Sequence, residues 1–179
     1  MGSQPARGFH GKLPVRGDFL NRGLPSGFVG PWEDWVGQAI VASRGLLGED
    51  WLDAWMVAPV WRFALPGGVC GADAVLGLMM PSIDRVGRAF PLTVVALFPS
   101  RTATPDHVAG ESFLDAVEEA ARDAIALDLE PDILAARIAS APIPDAPGEG
   151  DGPRMARWWT EGGPSIAARE LTLAGLPLM

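Results

Sequence analysis

Two apolar runs, Ala74–Met80 and Leu92–Phe98, stand either side of the connector Pro81–Pro91. Each has the length and the β-branched or large apolar content of a strand buried on both faces. The preceding run 60–65, Val60-Trp61-Arg62-Phe63-Ala64-Leu65, alternates as a strand does, and Pro66-Gly67-Gly68 follows it as a turn. The links between 60–65, 74–80 and 91–98 are too short to carry crossover helices, so the three strands are expected to pair antiparallel as a meander. This forces the second connector, with Asp84, Arg85, Gly87 and Arg88 between two prolines, out to one end of the sheet. Rigid strands presenting a surface connector is an arrangement in which function tends to reside. The plainer reading is that Asp84 and Arg85 only hydrogen-bond the turn and Arg88 is a solvated strand start.

The remaining elements follow from periodicity and punctuation. Gly8–Pro14 reads as a first strand stopped by Pro14, and Val15–Leu20 as a charged loop. Phe28, Trp32, Trp35 or Val36, Ala39 or Ile40, and Ser43 keep the helical period, giving a helix over 28–44, with Ser26 as its candidate cap and Gly45 or Gly48 as its stop. Trp51 to Met56 is a second short helix. A third covers 110–127, where Ser112 and Asp115 resemble a capping box and Glu111, Asp115, Glu118, Glu119 and Asp123 form a face expected to be solvated. Pro131 opens a short helix to about Ala139. The Pro- and Gly-rich segment 141–153 reads as a loop or hinge, 154–160 and 169–173 as strands, and the apolar tail 175–179 as a segment that docks on the core.

At 179 residues the chain is expected to form one domain, able to bury a core without disulfides or metal. Its formal net charge of −8 argues against broad binding to nucleic acid or anionic lipid, which need a cationic face. Cys70 is the only cysteine, which fits a reducing compartment. No signal-peptide pattern opens the chain and no apolar run approaches the ~20 residues of a membrane span. A cytoplasmic protein is the expectation.

Chemistry is sparse. Gly11-Lys12 fails as a phosphate-binding loop, because Leu13 stands where Ser or Thr is needed. His10, His107 and Cys70 have no zinc-site spacing, and no nucleophile elbow is present. The candidate site residues are Lys12, Asp18, Asp84, Arg85 and Arg88. Adjacent Trp158 and Trp159 face opposite ways on a strand, so one of them stands exposed unless a helix covers the second face; Trp158 is the candidate partner contact. No cofactor and no metal is expected.

Gly8-Phe9-His10-Gly11-Lys12-Leu13-Pro14 with Gly17-Asp18-Phe19, Leu24-Pro25 with Pro31-Trp32 and Trp35, Pro59-Val60-Trp61-Arg62-Phe63 with Gly71, and Pro81 to Arg88 with Phe90-Pro91-Leu92-Thr93 together resemble the type VI secretion-associated TagF (ImpM-like) family. The resemblance covers 8–98 and is looser over 99–179. His10 replaces a residue expected to be aromatic or apolar. The resemblance implies an α/β sandwich, a mainly antiparallel sheet with helices on both faces; the residues alone leave one-sided and two-sided sheets open. It also implies a cytoplasmic repressor of secretion-system assembly and firing, not an enzyme. The implied partner is the forkhead-associated scaffold protein of the threonine-phosphorylation pathway, with self-association left open. The alternative from another class is a small phosphate- or anion-handling enzyme built on Lys12, Asp18, Asp84, Arg85 and Arg88. A deep pocket gathering those five would favour it.

Overall fold

The structure is a computed structural model that describes residues 5–99, 103–147, 155–164 and 166–177. Seven strands form one antiparallel sheet: β1 (Ala6–Gly11), β2 (Leu20–Arg22), β3 (Trp61–Leu65), β4 (Ala74–Met80), β5 (Leu92–Phe98), β6 (Ala156–Gly163) and β7 (Ile166–Leu173). Their order is β2-β1-β5-β4-β3-β6-β7, with every neighbour antiparallel. The expected meander is therefore the centre of the sheet. The hairpin β1–β2 adds to one side and β6–β7 to the other. The short edge strand β2 begins at Leu20, the last residue of the expected loop, and was not expected as a strand; three residues are too few to show a period of two.

The central strands are apolar on both faces because helices cover both. Leu76, Leu78, Val94, Ala96 and Phe98 point to one core, filled by Phe113, Leu114 and Val117 of α3 (Glu111–Ala126) and Leu134 and Ile138 of α4 (Pro131–Ser140). Val75, Val95 and Leu97 alternate to the other, filled by Phe28, Trp32 and Val36 of α1 (Ser26–Leu47). This settles the two-sided arrangement. Helix α1 carries Gly27, Gly30, Gly37 and Gly45 and has poor intrinsic propensity. It forms because its buried stripe of Phe28, Trp32, Val36 and Ala39 packs on the sheet. Trp32 Nε1 also donates to Thr93 Oγ1 at 2.9 Å, satisfying the buried hydroxyl in β5. Gly48, at φ 54°, terminates the helix; a 3₁₀ turn at Gly48–Asp50 leads into α2 (Trp51–Met56).

Three local expectations are corrected. Ser26 does not cap α1, whose N-cap is Pro25 without a side-chain bond. Ser112 and Asp115 form no capping box, since α3 starts after Gly110. The acidic face of α3 is not wholly solvated. Asp115 and Glu118 accept from buried Arg62 of β3 at 2.7 and 2.8 Å, and Asp123 accepts from Arg137 of α4 at 2.8 Å. A buried guanidinium in an otherwise apolar strand draws the carboxylates toward it, because leaving it unpaired is costly. The tail docks as expected: Leu176 packs on the α1-side core and the Pro177 carbonyl accepts from Trp35 Nε1 at 3.0 Å. Residues 148–153 of the expected hinge, and 178–179 of the tail, lie outside the described residues.

Candidate functional site

The connector between β4 and β5 folds back on itself. The Asp84 amide donates to Arg88 O at 3.1 Å, and the Phe90 amide donates to Ser82 O at 3.1 Å, with Ile83 bridging Ala89. The Gly87 amide donates to Asp84 O at 2.9 Å and closes a four-residue turn, with Gly87 at φ 83°, a region that favours glycine. The Asp84 carboxylate sits inside this turn and is fully buried. Its Oδ1 accepts from the amides of Val86 at 3.0 Å and Arg88 at 2.9 Å. Its Oδ2 accepts from Lys12 Nζ at 2.9 Å and Arg88 Nε at 2.7 Å. Burial alone pushes this carboxyl up. The Arg88 amide, the Lys12 ammonium, the Arg88 guanidinium and the Val86 amide overcome that and hold it well below the usual carboxylate range.

Lys12 arrives there through the sheet. β1 lies beside β5 with His10 opposite Thr93, so the residues after Gly11 emerge next to Pro91. The backbones pass so closely that a Cβ on Gly11, at φ 133°, would stand 2.0 Å from Pro91 O. Beyond Lys12 the N-terminal loop is tied to the connector at several points. Ser82 Oγ donates to Lys12 O at 2.7 Å, the Arg85 amide to Arg16 O at 2.9 Å, the Arg85 guanidinium to Val15 O at 3.0 Å, and the Arg88 guanidinium to Gly17 O. Arg16 and Arg22 fix the same segment to the start of α4 through Glu130 and Asp132. Lys12 Nζ lies 4.9 Å from the Phe19 ring centroid. That ring stacks on His10 at 6.0 Å and meets Phe90 edge-on at 4.8 Å.

Four of the six candidate residues therefore converge: Lys12, Asp84, Arg85 and Arg88. Arg88, not Arg85, pairs with Asp84, because the turn directs the Arg85 side chain outward to the N-terminal loop. Asp18 stands exposed in that loop with no hydrogen bond or ion pair among the described residues. Trp158 is not at this surface. It is 2% exposed, packed among Trp32, Trp35 and Phe63 in the α1-side core. Trp159 on the opposite face is half-buried beside His107, so the expectation of an exposed tryptophan here is corrected.

Ser82, whose hydroxyl holds the Lys12 carbonyl, and Phe19 (51% exposed) and Val86 (69% exposed) at the rim were not among the candidate residues, although all three lie in stretches that carry the family resemblance. Their places depend on the β1–β5 pairing. His10 fills an aromatic site, as its neighbours show, but its ring nitrogens are buried. Nε2 comes within 3.0 Å of Glu33 Oε1, off the line of a hydrogen bond. Burial lowers its pKa while Glu33 opposes that shift.

None of Lys12, Asp18, Asp84, Arg85 and Arg88 lines the apolar cavity that lies against α1 and α2. Among the described residues no three potential metal ligands cluster, and no helix is long and apolar enough to cross a membrane.

Residues 8–141 match the family model of the TagF N-terminal domain, described as type VI secretion system-associated. This span runs from within β1 through α4 and includes both halves of the Lys12–Asp84 cluster. No curated protein matches the chain. Among solved structures it is similar to PA0076 from Pseudomonas aeruginosa PAO1, with a TM-score of 0.84 and 35% identity over 97% of this chain and 90% of that one. A match that extensive also takes in the β6–β7 hairpin beyond residue 141. With its sequence matched over most of its length and its fold matched over nearly all of it, the chain belongs to the TagF family of type VI secretion-associated proteins.

Proposed function

We propose that this protein is a cytoplasmic, post-translational repressor of type VI secretion that works by binding the system's forkhead-associated scaffold protein, and that it is not an enzyme. The observation that carries this reading is the saturation of the Asp84 cluster. Asp84 uses both oxygens on protein donors, and Lys12 and Arg88 both spend charge on it. Lys12 is buried, at 6% exposure. An anion-handling centre needs such cations free to meet a substrate, so the alternative loses its main residues. What the cluster does instead is fix the tip of the connector. Arg85, Val86 and Arg88 project from it, with Phe19 and Asp18 on the adjoining loop. Arginine and aromatic side chains around an exposed apolar centre are the composition of an interface anchor. The Arg85 guanidinium meets only the Val15 carbonyl and is in no ion pair among the described residues, so it leaves one positive charge at the tip to orient an acidic partner surface.

The test is Val86→Asp, since no hydrogen bond or ion pair depends on this side chain. In cells with an active type VI system, the variant should accumulate to the wild-type level yet fail to repress export of secreted substrate. A variant equally abundant and equally repressive would overturn the reading.

A further inference from the structure

Helix α1, helix α2 and the sheet end at Met79–Pro81 enclose an apolar groove of about 340 Å3 on the molecule. Trp35, Trp51, Trp55 and Trp61 form its walls. Three of their four indole N–H groups are already committed. Trp35 Nε1 donates to Pro177 O, Trp51 Nε1 to Ser43 Oγ at 2.8 Å, and Trp55 Nε1 to Ser82 O at 3.1 Å. Ser43 Oγ donates in turn to Ile40 O at 3.0 Å. Trp51 and Trp55 stack at 5.1 Å, and the Arg44 guanidinium covers Trp51 at 4.1 Å. Three of the four indoles are thus held in place by hydrogen bonds before anything binds, and the groove offers mostly carbon surface, with the Trp61 N–H the one indole donor in no hydrogen bond among the described residues.

The flank has the opposite character. From the last turn of α1 to the residue after α2, Leu46, Leu47, Leu52, Met56 and Val57 are all exposed large apolar residues. Interleaved with them are Glu49, Asp50 and Asp53, each exposed and none in an ion pair among the described residues. The only basic side chain of the stretch, Arg44, is taken up by Trp51. Exposed apolar residues this dense mark an interaction site. The lining is made of side chains, almost all from α1, α2 and the strand ends beside them, with Ile166 the one contribution from the edge strand β7, so a partner is received chiefly through its own side chains.

We infer that this groove is a second docking site, separate from the connector surface, and that its occupant is an amphipathic helix of a partner protein with apolar anchors and basic flanking residues. The anchors fill the tryptophan-walled groove, and the Lys or Arg residues face Glu49, Asp50 and Asp53. The inference does not depend on the identity of the partner at the connector.

The probe is a display library of helical peptides selected against the folded full chain. Enriched peptides should carry apolar residues at i, i+3 or i+4, and i+7, with net positive charge, and should compete with one another. Ala54→Trp, which fills the groove from an exposed helical position, should weaken them by about tenfold or more. Asp53→Lys should weaken them severalfold, whereas Glu119→Lys on α3, with the same change in net charge, should not. Absence of enrichment, enriched peptides without basic bias, indifference to Ala54→Trp, or equal effects of Asp53→Lys and Glu119→Lys would each overturn the inference. Dimerisation of the free chain that Ala54→Trp abolishes would assign the groove to a second copy and overturn it as well.

Discussion

Asp84 is the residue on which the connector's shape depends. Its carboxylate replaces lost water with two amides and two cations, so the charged form is favoured in the fold despite complete burial. Its pKa lies below the ordinary 3.8, so the unfolded chain takes up the proton first as pH falls. The stability it contributes is complete above about pH 5 and is lost as pH drops toward the folded value. Asp84→Asn should lower the Tm at neutral pH by about 5 °C or more and flatten the acid limb of a Tm-against-pH profile. An unchanged acid limb would show that other carboxylates set it. His10 acts in the same direction over a different window. Burial first, against the opposing Glu33 charge, lowers its pKa from 6.5, so stability falls as pH drops below that value. His10→Phe keeps the contacts with Phe19 and Phe90 and removes the proton site. Its Tm should fall less than the parent's between about pH 7.5 and pH 5, by a few degrees in calorimetry.

At the scale of elements, the charged connector and its flanking strands were legible because their chemistry is local: continuous apolar runs, two prolines and a glycine. Gly87 holds a left-handed φ with open space around its Cβ position. Gly87→Ala therefore carries a conformational cost alone, about 1 kcal/mol or roughly 3 °C in Tm, measurable by denaturant unfolding. Arg62 was legible as a strand residue but not as an ion-pair partner, because Asp115 and Glu118 reach it only once α3 lies on that face of the sheet. Arg62→Met should cost about 1.5–3 kcal/mol by the same measurement, most of it through Glu118, since the Asp115 side chain is 63% exposed and its pair is screened. Strand β2, three residues at an edge, carries no periodic signal. The capping motifs failed for a related reason: a Ser or Asp near a helix start is a weak sign when tertiary packing decides where the helix begins.

For the whole molecule, the two-sided sheet explains why Trp158 could not be placed from sequence. Alternation assigned Trp158 and Trp159 to opposite faces, but which faces were covered depends on α1 and α3 packing from either side. The same layering brings β1 beside β5 and thereby joins residues 12–19 to 84–88, a union across 72 positions for the Lys12–Asp84 pair. The family resemblance could indicate these segments together; periodicity could not. In the proposed function this union is a rigid frame that presents the connector tip to the scaffold protein. Isothermal titration of purified forkhead-associated scaffold into the parent chain and into Val86→Asp, with the Tm of both recorded, tests it most directly. The Tm should be unchanged and the affinity at least about tenfold weaker for the variant. Equal affinities at equal Tm would contradict it.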